Sequence, residues 1–128
     1  MEEVRPDMLV AMYKQQYTDQ VERRHYNFAE MDAKARTAYI KEFVLMLEDE
    51  LHEMLHELPY FKPWKKYATV ESTEKACEEF ADAIHFFLNI AIGLGMTPER
   101  MYEYYMRKNA INGQRLEDTE NYKPDVGE

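Results

Sequence analysis

Residues 72–95 read STEKACEEFADAIHFFLNIAIGLG, and this stretch decides the fold. Ala76, Phe80, Ala83, Ile84, Phe87, Ile90 and Leu94 recur at three- and four-residue intervals, the period of a helix with a buried face. Phe86, Leu88 and Ala91 widen that face beyond one stripe, so the helix needs cover on several sides. Gly93-Leu94-Gly95 stops it. In a chain of 128 residues the natural source of extra cover is a second copy, and dimerisation through this helix is expected.

The rest of the chain has the same period. Only four glycines and five prolines interrupt it, which leaves long segments free to be helical. Upstream, Ile40, Phe43, Leu47, Leu51, Met54 and Leu58 define a helix from Asp32, its N-cap, to a stop at Pro59. A first amphipathic helix spans Asp7 to Arg24. Downstream, Thr97-Pro98-Glu99 combines a capping hydroxyl, a first-turn proline and an acid, and opens a helix running to about Asn112 or Arg115. The polar, acidic tail from Leu116 to Glu128 is expected to be mobile. The expected fold is an all-α bundle of four to five helices, in one domain spanning 1–128.

Charge and composition exclude several functions. With 25 acidic against 16 basic side chains and a net charge of -9, the chain lacks the basic excess that nucleic-acid phosphates require. The longest apolar run, Ala83 to Met96, is shorter than a membrane span and carries His85 and Asn89. A single cysteine, Cys77, suits a reducing compartment, and the first residues have neither the basic start nor the apolar run of a secretory signal. A cytoplasmic protein is expected.

Two acid pairs carry the chemistry. Glu50-Leu-His-Glu53 lies on the second helix and Glu79-Phe-Ala-Asp82 on the third, each pair one turn apart on its own helix. At about 100° per residue, Glu50 lies roughly 60° from the middle of its helix's apolar stripe, and Glu79 is placed similarly beside Ala76, Ala83 and Ile90. Two antiparallel helices joined through Pro59–Glu71 bring the pairs opposite one another. Four carboxylates converging beside a core repel, or take up protons, unless a cation neutralises them, and all-oxygen donors suit Mg²⁺ or Mn²⁺. Solvated surface charge is the plainer alternative. On the fourth helix, Lys108, Asn112 and Arg115 fall at i, i+4 and i+7, a basic complement fit for a polyphosphate or, more simply, for a solvated helix end.

In order, the chain carries Glu50-x-x-Glu53, then Phe61-Lys62-Pro63-Trp64-Lys65. Glu79-x-x-Asp82-Ala-Ile-His85-Phe86 and Lys108-Asn109-x-x-Asn112-x-x-Arg115 follow. This order resembles the all-α nucleoside triphosphate pyrophosphohydrolases, the superfamily of MazG-like enzymes and dimeric dUTPases, and most of all the dUTPase and phage dCTPase/dUTPase branch. The resemblance implies Mg²⁺-dependent cleavage of a deoxynucleoside triphosphate, dUTP first and dCTP next, to monophosphate and pyrophosphate. It implies Glu50, Glu53, Glu79 and Asp82 as metal ligands, with Glu53 polarising the attacking water. Lys108, Asn112 and Arg115 would hold triphosphate or base, Tyr122 and Lys123 would close from the tail, and Lys62 and Trp64 would flank the nucleotide. Gln16 stands in the first-helix region where that branch reads uracil.

Other readings stay open. A broad-specificity MazG-like pyrophosphohydrolase shares the same motifs. Glu22-x-x-His25, Glu53-x-x-His56 and Asp82-x-x-His85 have the spacing of carboxylate di-iron bundles, although His56 and His85 project away from the apolar stripes. A non-enzymatic helical dimerisation module explains the bundle without the acid pairs.

Overall fold

A computed structural model describes residues 7–62, 64 and 70–121, with side chains from 73 to 120 in the last stretch. The described residues are all-α, without strands: α1 (Met8–Thr18), a π-helical turn (Asp19–Arg23), a short 3₁₀ turn (Phe28–Glu30), α2 (Ala33–Glu57), α3 (Val70–Gly93) and α4 (Pro98–Asn121). The chain divides into two compact units, 1–96 and 97–128. No single helix among the described residues is long and apolar enough to cross a membrane.

In the first unit, α2 and α3 run antiparallel. Glu50 lies near Glu79, Phe43 meets Phe86 with ring centroids 5.9 Å apart, and Gly93 lies against Tyr39 and Ile40, so the pairing runs backward along α3 as it advances along α2. Phe28, Tyr39, Phe43 and Ile92 form the buried centre, with Tyr13, Tyr26, Met31 and Phe86 packed on it. Its aromatic rings meet mostly edge to face, as in Tyr39 against Tyr26 (4.8 Å) and Phe28 (5.1 Å). A Cβ on Gly93 would come within 2.7 Å of Ile40 Cγ1 and 2.9 Å of Tyr39 Cδ1, so a glycine permits the approach of the two helices. Arg36 fastens three segments: it donates to Gly93 O (2.9 Å) at the end of α3 and to Phe28 O (3.2 Å) in the 3₁₀ turn.

The caps behave as the sequence predicts. Asp32 accepts from Ala35 N (2.8 Å) at the start of α2, and Thr97 Oγ1 accepts from Arg100 N (3.2 Å) at the start of α4. Two boundaries differ. The first helix reaches Arg23, but its final turn is π-helical. The fourth does not end near Arg115: it continues to Asn121, past the predicted start of the tail. Gln114 donates to Asp118 (3.1 Å) and Thr119 Oγ1 to Arg115 O (2.9 Å), and no proline or glycine interrupts these turns.

Candidate functional site

Glu50 and Glu53 sit one turn apart on α2, and Glu79 faces them from α3. One carboxylate oxygen from each lies within 4.8 Å of the other two. Glu50 and Glu79 are half-buried and Glu53 is exposed, as expected from their angles to the apolar stripes. The trio is electrostatically loaded. The Glu53 carboxyl is pushed above its ordinary value first by its hydrogen bond to Glu79 and then by that group's charge. Glu79 is raised first by its hydrogen bond to Glu50 and then by loss of solvent.

A cation fits this arrangement. Glu50 Oε2 is buried and has no hydrogen-bond partner, which is costly for a carboxylate unless something positive meets it. The donor set is oxygen only, suited to a hard divalent ion such as Mg²⁺ or Mn²⁺. Among the described residues no histidine joins the trio: His25, His56 and His85 are all exposed, and the acid-x-x-His spacings do not converge as a di-iron centre requires.

Asp82, one turn after Glu79, stands apart from the trio and instead lines a cavity of about 420 Å³. That cavity opens between α1, α2 and α3. Met46 and Asp82 on its wall are four and three residues from Glu50 and Glu79, so it begins about 5–6 Å along the helices from the carboxylates. Its interior is polar in an unusual way. Gln16 Nε2 donates to Asn89 Oδ1 (2.7 Å), and both residues are buried. Gln20, also buried, accepts from Tyr39 Oη (2.9 Å), and burial pushes the Tyr39 phenol above its ordinary value. Gln16 is buried from α1 and Gln20 from the π turn at Asp19–Arg23, which also carries Arg23, with Arg24 after it, at the cavity wall.

The remaining sequence candidates divide by position. Lys62 lies over the Trp64 ring (5.6 Å), both exposed, in the connection after α2. Lys108, Asn112 and Arg115 are exposed on α4, in the second unit. Tyr122 and Lys123 lie outside the described residues. The sequence reading passed over Asn89 as a site residue, although a lone amide inside the apolar run Ala83–Met96 was a legible signal. It also passed over Gln20, Arg23, Arg24 and Tyr26, whose approach to the cavity depends on a π turn that has no sequence signature.

Comparisons with known proteins bear on the family of the chain. The chain is 29% identical over 94 residues to the dCTP pyrophosphatase of Enterobacteria phage T4, covering 56% of this chain and 55% of that protein. It is 39% identical over 66 residues to the dCTP pyrophosphatase of Enterobacteria phage LZ5, covering 43% of this chain and 38% of that protein. It thus spans about half the length, or less, of these relatives. No solved structure matches. The family profile described as dUTPase matches residues 8–100, which include α1, α2, α3, the carboxylate trio and the cavity. The chain belongs to the dUTPase family.

Proposed function

We propose that this protein hydrolyses a pyrimidine deoxynucleoside triphosphate, dUTP or dCTP, between the α- and β-phosphates, giving the monophosphate and pyrophosphate. The observation that carries the reading is the convergence of Glu50, Glu53 and Glu79 around a buried, partnerless Oε2, next to a cavity with buried amides. Family membership and the two dCTP pyrophosphatase relatives support it.

Glu50, Glu53 and Glu79 would hold Mg²⁺, with Asp82 close by on α3. When bound there, such an ion would supply neutralisation of phosphate charge, which is much of what phosphoryl chemistry needs. Glu53 is the exposed member of the trio, so it is the one an attacking water reaches, and it takes that water's proton as the pyrophosphate leaves. Gln16 and Asn89 offer amide donors and acceptors to a base edge inside the cavity. Lys108, Asn112 and Arg115 on α4, with Lys62 and Trp64, remain candidates for the triphosphate and base.

The same reading includes a homodimer. Phe80 and Phe87 on α3 and Leu94 just beyond it recur every seven residues and are 53%, 54% and 57% exposed, an apolar stripe suited to a second copy. Light scattering of Phe87→Glu against wild type tests it: a dimer that becomes a monomer supports this contact, and an unchanged mass rejects it.

Pyrophosphate release from dUTP, dCTP, dTTP, purine deoxynucleotides and ribonucleotides, with Mg²⁺ or EDTA, tests the activity. Metal-dependent turnover confined to dUTP or dCTP supports the reading. Broad turnover moves the protein to a MazG-like role, and no turnover removes the enzymatic account.

A further inference from the structure

The cavity wall carries two arginines, Arg23 and Arg24, that the preceding reading leaves unused. Arg23 ends the π turn and Arg24 follows it. Their place is built into the backbone. Arg24 N donates to Asp19 O (3.1 Å), and the next residue, His25, holds a left-handed φ of 61° that costs a non-glycine residue energy. Tyr26 N then donates back to Gln20 O (3.1 Å), which closes the reversal. The helix end is therefore fixed, with both guanidinium side chains beside the cavity.

These are the cavity's only permanently cationic side chains among the described residues, in a protein of net charge -9. Arg23 is loosely committed. Its ion pair, Nε to Asp19 Oδ1 at 3.4 Å, leaves its side chain 77% exposed. An exposed pair of this kind is weak, and a phosphate chain outcompetes it. We infer that Arg23 and Arg24 form a phosphate clamp: they engage the polyphosphate of the substrate from the α1 side of the cavity, and Arg23 leaves Asp19 to do so. Arginine suits the task because its planar fork meets two phosphate oxygens at once. The inference rests on the nucleotide-hydrolase reading.

Binding of tripolyphosphate in Mg²⁺, measured by calorimetry, tests the clamp independently of turnover. Arg23→Ala and Arg24→Ala should each weaken it about tenfold or more. Lys34→Ala, the same charge change on exposed α2 surface away from the cavity, should leave it unaltered. Asp19→Asn should tighten binding, and that gain should shrink in the Arg23→Ala background. Unchanged affinity in both arginine variants, an equal loss in Lys34→Ala, or no tripolyphosphate binding by wild type overturns the clamp. If wild type cleaves dUTP or dCTP while the arginine variants keep its KM, the clamp alone fails. If tripolyphosphate binding depends on the arginines but no nucleotide is cleaved, the hydrolase reading fails and the clamp stands.

Discussion

Gln16 Nε2 donates to Asn89 Oδ1 across 2.7 Å, joining α1 to α3 between residues 73 apart in sequence. Asn89 is 1% exposed, so this bond fixes a polar group inside the apolar face of the core helix. Truncating one partner strands the other. Asn89→Ala is expected to destabilise the fold by about 1–3 kcal/mol, the cost of an unsatisfied buried amide plus lost packing. Urea denaturation checks this. Asn89→Asp keeps the shape but replaces the amide donors with acceptors, and is expected to change the ratio of kcat/KM for dUTP to kcat/KM for dCTP, measured from initial rates with each substrate.

Gly93 governs how closely α2 and α3 approach. Alanine there would gain helix propensity of at most about 1 kcal/mol, and less at a helix end. Its Cβ would meet Ile40 Cγ1 at 2.7 Å and a Tyr39 ring carbon at 2.9 Å. The ring is held by neighbours and cannot yield cheaply. Overpacking wins, and Gly93→Ala is expected to lose about 1–3 kcal/mol, read as a lower thermal midpoint.

Fold and site were legible to different degrees. Asp32, Pro59 and Thr97-Pro98 act through local backbone chemistry, so they mark helix ends wherever they occur. Glu50, Glu53 and Glu79 were legible because helical angle places them at the rim of an apolar stripe. Asp82, equal to Glu79 in spacing logic, lies by the cavity instead, since three residues turn a side chain about 60° further round the helix. The π turn was not legible: one extra residue in a turn depends on how Gln20, Tyr26 and Tyr39 pack, which is tertiary information.

Proton linkage gives the trio a signature. Glu53 and Glu79 have raised values in the fold, so between the ordinary value and the raised ones the native state binds more protons than the unfolded chain. Metal-free stability from these groups is complete at low pH and is lost as pH rises through the raised values. Glu79→Gln removes much of that loss. Calorimetry in EDTA across mildly acidic to neutral pH should show wild type losing stability relative to Glu79→Gln as pH increases. Mg²⁺ competes with protons for the same oxygens, so its stabilisation of wild type should grow with pH.

Tyr39 Oη donates to Gln20 Oε1 at 2.9 Å within the aromatic core. Tyr39→Phe leaves that buried acceptor unpaired and is expected to cost about 1–3 kcal/mol. Because its phenol is raised, alkaline titration followed by tyrosinate absorbance should show one group ionising only as the protein unfolds.

The most direct measurement is pyrophosphate release from dUTP and dCTP by wild type and by Glu79→Gln, each with Mg²⁺ and with EDTA. The account predicts turnover by wild type in Mg²⁺, none in EDTA, and a fall in Glu79→Gln of at least about 10–100-fold, the loss seen even for groups that only orient metal ligands. Equal turnover by the two proteins, or wild-type turnover that survives EDTA, would contradict it.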